Sequence, residues 1–224
     1  MKKNLAKKLF DVEDLITKIL NIYKKQLSID DGTEAILRYS IRLVISTMLS
    51  YSLALLLALL FGTFYYVLFI MLTFSTLRVF SGGAHCSNMG NCATYGAVVA
   101  NILGLVAQKN QLTKVFMLTM IIIAFVFSLW AISKYAPADT PGKPITTKLK
   151  KERLRKKSLI VVCVWFLGCV LWYTYFSEVK TIVYASTIGI LWQSFTLTKT
   201  GYKFCHVFDN ILDFIFNKKE ESIC

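Results

Sequence analysis

Histidine, proline and acidic residues are all scarce in this chain of 224 residues: two His, three Pro, and 13 Asp and Glu against 26 Lys and Arg. The resulting formal charge of +13 would suggest a nucleic-acid partner for a soluble domain. A soluble domain is excluded, however, by 55% hydrophobic residues, a mean hydropathy of +0.55 and repeated apolar runs of spanning length. In a polytopic membrane protein a basic excess records orientation and attraction to anionic inner-leaflet lipid, so no nucleic-acid partner is expected. The six Cys show no paired spacing, and Cys163 and Cys169 fall inside apolar segments. That usage excludes a disulfide framework and leaves free thiols. The first 38 residues carry Lys2, Lys3, Lys7, Lys8, Lys18, Lys24 and Lys25 with no continuous apolar region, so no secretory signal is expected. No internal repeat is visible.

Apolar runs predict an all-α membrane protein of about six spans, near 39–61, 64–80, 94–107, 115–133, 159–176 and 181–197. The third is short for a crossing. An amphipathic surface helix precedes the bundle within residues 1–30, with Leu5, Leu9, Val12, Ile16, Ile19 and Tyr23 at helical spacing. Asp31 and Glu34 resemble a capping box that starts the first span. A second amphipathic stretch occupies 198–224, with Phe204, Val207, Phe208, Ile211 and Ile215 on one side. The whole, 1–224, reads as a single membrane domain. Segment 134–157 holds Lys134, Lys143, Lys148, Lys150, Lys151, Arg153, Arg155, Lys156 and Lys157, whereas the turns after the odd-numbered spans are poor in charge. Positive-inside orientation then puts both termini, segment 78–93 and this basic loop on the cytoplasmic side of the cell membrane.

Chemistry-bearing residues concentrate in RVFSGGAHCSNMGNC at 78–92, which contains Arg78, Gly82, Gly83, His85, Cys86, Asn91 and Cys92. Along one continuous helix, residues seven apart lie about 10 Å apart, too far for proton exchange. The glycines, Ser87, Asn88 and Asn91 are turn formers that allow the chain to fold back. Asn91 at a helix cap would set Cys92 in the first turn, where the helix dipole favours a thiolate, with His85 as base. Two other readings compete. The segment serves equally as a plain polar turn. Alternatively, His85, Cys86, Cys92, Cys205 and His206 supply ligands for a metal, although Cys-x5-Cys is not a usual ligand spacing.

Arg78, Gly83, His85 and Cys92 between the second and third spans, followed by YAPADTPGKPI at 135–145, resemble the accessory gene regulator B (AgrB) family. The likeness extends over nearly the whole chain in length, hydropathy and basic loop. What the resemblance implies is a membrane cysteine endopeptidase of quorum sensing without a cofactor. It would cut the C-terminal tail from an AgrD-like propeptide and promote closure of a thiolactone or lactone ring. By position Cys92 becomes the nucleophile and His85 its base, with Arg78 and Gly83 in supporting places. A homodimer is also implied. Lys150, Lys151, Arg153 and Arg155 are candidates for holding an acidic substrate tail, besides setting topology, and Pro141 for a stiff strap beside Cys92. Pro137, Pro141 and Pro144 read equally as a helix stop. The Trp residues read as lipid and core packing, and Asp139 as a turn residue or a site carboxylate. A small transporter or peptide exporter is the alternative, but Arg42 near a helix end, Asn101 and Gln193 are the main polar residues within the spans.

Overall fold

The computed structural model describes residues 12–26, 30–87, 89–109, 113–138, 145–175 and 180–221. Asn88, Asp139, Pro141, Pro144 and the first eleven residues, which carry part of the expected N-terminal face, lie outside them. The described residues form eight helices and no strand: α1 (Val12–Gln26), α2 (Asp31–Leu60), α3 (Phe64–Ser81), α4 (Met89–Lys109), α5 (Lys114–Tyr135), α6 (Lys148–Tyr175), α7 (Lys180–Thr196) and α8 (Lys199–Glu221). Helices prevail because a bilayer leaves no water for unpaired backbone groups, and a helix satisfies its own.

Five helices, α2 to α6, are long and apolar enough to cross a membrane. Their outer faces stay apolar and uncovered, as with Val115, Ile122 and Val126 on α5 and Ile160, Val164 and Leu167 on α6. The expected sixth span is helix α7, at 17 residues shorter than the rest. Residues 183–190 of α7 are all buried, because α3, α4, α5 and α6 surround it, with α3 in the most extensive contact. This enclosure explains a composition that lipid would penalise. Ser186 takes the indole N–H of Trp165 at 3.1 Å, and Ser194 bonds Ser128 at 2.7 Å. Gly189 leaves room for α3: a Cβ there would lie 2.6 Å from the Ile70 carbonyl oxygen.

Other departures from the sequence reading have local causes. The short third span is 21 residues long because its helix begins at Met89 and takes in Asn91 and Cys92. The basic run 148–157 forms the opening turns of α6, so it is helical and not a loop. Asp30, not Asp31, occupies the N-cap position of α2, without a side-chain capping bond. The Glu34 carboxylate pairs with Lys24 of α1 at 2.6 Å instead of returning to the cap. Ile16 and Leu20 are fully buried, so α1 has part of its apolar face against protein.

Helix direction alternates, which sorts the connections to two ends. At one lie the α2–α3 turn and the end of α4, joined by Gln108 donating to the Gly62 carbonyl at 3.1 Å. At the other lie segment 82–88, the chain after α5, the start of α6 and the α7–α8 junction. Substituting Gly189 by Val should overpack the α3–α7 contact by about 1–3 kcal/mol. A lowered melting temperature in detergent, relative to wild type and to a Gly168→Val control, is the expected result; Gly168 meets nothing within 4 Å.

Candidate active site

The chain reverses after α3 at two glycines whose conformations a side chain would strain. Gly82 has φ 68° and Gly83 φ 146°. A Cβ on Gly82 would sit 2.3 Å from the Ala138 carbonyl oxygen, and one on Gly83 would sit 2.7 Å from Arg78 Nη1. Arg78 occupies the space that Gly83 leaves. Its Nη2 donates to the Ala84 carbonyl, Nη1 reaches Gln193 Oε1 at 3.4 Å, and the guanidinium lies over Phe74 at 5.2 Å. Gln193 of α7 completes the knot by donating to the Gly82 carbonyl at 2.6 Å and Ser81 Oγ at 2.9 Å. The Ala84 amide reaches the Thr196 carbonyl at 3.2 Å. Two of the motif positions thus acquire a physical role: Arg78 fastens the reversal to α7, and Gly83 lets it through.

The reversal returns His85 to the start of α4, with its Nδ1 3.9 Å from Cys92 Sγ. That is contact range for sulfur. Cys92 lies in the first turn of α4, where amide N–H groups lack helical partners. Asn91 is already inside this helix and does not cap it. Its side chain points to α8, donating to Asp209 Oδ1 and to Asp213 Oδ1, each at 2.7 Å. Among the described residues no carboxylate pairs with Arg78, and its charge acts on Cys92 and Cys205.

Cys86 is a second thiol near the pair, and its surroundings set it apart. It faces Cys205 with sulfurs 3.6 Å apart. Hydrogen bonds to Cys205 and to Cys92, then burial, push the Cys86 thiol far above its ordinary value and hold it protonated. A protonated thiol is a poor nucleophile. His206 lies on the exposed side of α8. Among the described residues no group of three or more His, Cys, Asp or Glu is placed to hold a metal. The ligand set His85, Cys86, Cys92, Cys205 and His206 is therefore not assembled.

Helix α8 turns most of its apolar side outward. Phe204, Val207, Ile211 and Ile215 are exposed, while Cys205, Asp209 and Leu212 are buried. The buried side covers the candidate site: Tyr95 packs on Phe208 at 5.1 Å, and Asp209 Oδ2 accepts the Ser87 amide at 2.7 Å. Burial tends to raise the Asp209 pKa, but the bonds from Asn91 and Ser87 outweigh it and hold the carboxyl below its usual range. Gln193, Thr196, Cys205, Asp209 and Asp213 are site neighbours that the motif did not include. A sequence signal existed for two kinds of them. Gln193 is an amide within an apolar span, and Cys205, Asp209 and Asp213 recur every four residues opposite the apolar face.

A cavity of about 450 Å³ opens beside His85 and Cys92, between α2, α3 and α4. Phe74, Val99 and Leu103 make it apolar, and Ser46, Ser50 and Ser75 add hydroxyls. Lys150 and Leu154 of α6 line it as well. Lys151 and Arg153 are exposed. Arg155 turns to the chain after α5, its Nε donating to the Ala136 carbonyl at 2.8 Å. Pro137 and Ala138 form part of the cavity wall, and the Ala138 amide bonds the Ser81 carbonyl at 2.8 Å. Pro141 falls outside the described residues. Two of the three polar residues weighed for transport bond within the bundle: Asn101 donates to the Ala54 and Ala97 carbonyls at 3.0 and 2.9 Å, and Gln193 holds the reversal.

The family model for accessory gene regulator B matches residues 16–197. A Clostridium perfringens (strain SM101) protein called AgrB-like is 30% identical over 198 residues, covering 85% of this chain and 92% of its own. Accessory gene regulator protein B of Staphylococcus intermedius is 35% identical over 142 residues, covering 63% and 69%. The protein of the same name from Staphylococcus lugdunensis is 35% identical over 106 residues, covering 47% and 54%. No solved structure matches the chain.

The two glycines should differ in tolerance. Gly82→Ala drives a Cβ into backbone and combines that clash with a strained φ, a cost of about 1–3 kcal/mol for the conformation alone. Gly83→Ala carries the same kind of conformational strain, but its Cβ meets side-chain ends of Arg78 and Thr196, which yield more readily than backbone. Melting temperatures in detergent should therefore fall further for Gly82→Ala than for Gly83→Ala.

Proposed function

The chain belongs to the accessory gene regulator B family, and on that premise we propose that it is a membrane cysteine endopeptidase of the agr quorum-sensing system. Its substrate is an AgrD-like propeptide. The observation that carries the reading is the His85–Cys92 contact at 3.9 Å on the wall of a peptide-sized cavity.

In this mechanism Cys92 Sγ attacks the carbonyl carbon between the peptide core and its C-terminal tail. His85 takes the thiol proton and passes it to the leaving amine. The C–N bond breaks, a thioester forms on Cys92, and the tail departs with a new N-terminus. A thiol or hydroxyl within the substrate then attacks the thioester, closing a thiolactone or lactone and returning Cys92. In this mechanism the first-turn amides of α4 stabilise the oxyanion, and the nearby charge of Arg78 favours it. The apolar cavity takes core residues next to the cleaved bond and keeps water from the thioester. Lys150, at the cavity, and the neighbouring Lys151 and Arg153 hold an acidic tail. Positive-inside orientation puts this end of the bundle in the cytoplasm, against anionic lipid. The metal alternative lacks an assembled ligand set among the described residues.

Co-expression with the cognate propeptide, with tail release followed by mass, tests the assignment. Cys92→Ala and His85→Ala should abolish release, and Cys86→Ala should keep it. Release persisting without Cys92 would remove the peptidase reading. Replacing Lys150, Lys151 and Arg153 together by Gln should raise KM for the propeptide with little change in kcat. Arg155 is left intact because it braces the chain at Ala136.

A further inference from the structure

Arg78 and Thr196 hold the chain at Ala84, but among the described residues no backbone hydrogen bond ties His85 itself to the start of α4. His85 sits on a non-helical stretch and Cys92 on a helix. One carboxylate spans both pieces. Asp209 Oδ2 accepts the Ser87 amide at 2.7 Å, two residues after His85. Its Oδ1 accepts Asn91 Nδ2 at 2.7 Å, one residue before Cys92. We propose that Asp209 is the positioning residue of the His85–Cys92 pair, holding the two chain segments in register from α8. The proposal rests on the peptidase reading, and it adds a part from beyond residue 197, where the family match ends.

Chemistry separates this role from simple packing. Asp209 is 4% exposed, and burying a carboxylate is costly unless hydrogen bonds meet it. A helix can be seated by apolar contacts alone, and α8 has them in Phe208 on Tyr95 and Phe204 on Trp192. Both Asp209 oxygens instead go to the two segments flanking the candidate dyad. Charge-assisted bonds of this kind are shorter and stronger than neutral ones, which suits a clamp on a loop. Asp213 reaches Asn91 at 2.7 Å and Cys205 faces Cys86, so α8 meets the site over successive turns. Asp209 joins the segment of His85, through Ser87, to the helix of Cys92, through Asn91.

The test uses the full chain in detergent with the cognate propeptide. Asp209→Asn turns an amide N–H₂ toward a donor and breaks one arm of the bridge. It should lower kcat for tail release at least tenfold with KM unchanged. Asn91→Ala removes the α4 arm while leaving α8 unaltered, should show the same split, and decides the matter if Asp209→Asn fails to accumulate. A third reading follows iodoacetamide capture of Cys92, mapped by mass, which should slow at least threefold in both variants. Val207→Ala, on the exposed face of α8, should match wild type in every measurement. A folded Asp209→Asn or Asn91→Ala protein with kcat within twofold of wild type overturns the proposal, as does a raised KM at unchanged kcat. Wild-type release by Cys92→Ala in the same assay would overturn the peptidase reading instead. The capture rate would then still judge Asp209, an unchanged rate counting against it.

Discussion

A guanidinium threaded past a glycine holds the functional end of this molecule together. The chain between α3 and α4 has no ladder or helix of its own, yet it must keep a fixed shape to bring His85 near Cys92. Arg78 supplies the fixed point by bonding the Ala84 carbonyl on one side and Gln193 on the other. Gln193 in turn satisfies the Gly82 carbonyl, and the backbone of residue 138 closes over Ser81. Except for the Arg78–Gln193 bond, each of these meets a backbone group that would otherwise be left unsatisfied in an apolar setting. The arrangement works only with glycine at 82 and 83, since a Cβ at either would occupy the position of a partner.

Helix α7 is the other half of that constraint. Surrounded on all sides, it can carry Ser186, Thr187, Gln193, Ser194 and Thr196 in a bundle that otherwise presents aliphatic and aromatic side chains to lipid. These groups bond indole, hydroxyl and carbonyl partners within the protein. Of these, Gln193 fastens the reversal to the core through the Gly82 carbonyl and Ser81. Gly189 allows the close approach of α3 on which that fastening depends.

Three thiols meet near the candidate site, yet their environments differ. Cys86 is turned toward Cys205 and held protonated, while Cys92 faces an imidazole at the start of a helix. The difference arises from α8, which brings Cys205 and Asp209 over the loop. Because its exposed side is apolar and its buried side carries the acid, α8 sits between lipid and site, with each face suited to what it meets.

Hydropathy and charge in the sequence determined the helical membrane class, the places of five spans, and the concentration of chemistry between residues 78 and 92. These follow from local composition, because a bilayer imposes length and satisfaction rules on each segment separately. The sequence also supplied Arg78, Gly83, His85 and Cys92 as a set, through their motif. Only the tertiary structure decided that Asn91 serves α8 and does not cap α4, and that α7 is enclosed. It likewise decided that Gln193 anchors the reversal and that the buried side of α8 is its acidic one. Those facts depend on contacts between residues more than a hundred positions apart, such as Ser87 with Asp209 and Arg78 with Gln193. Periodicity shows that a helix has two faces, but which face is covered depends on what the rest of the chain places against it.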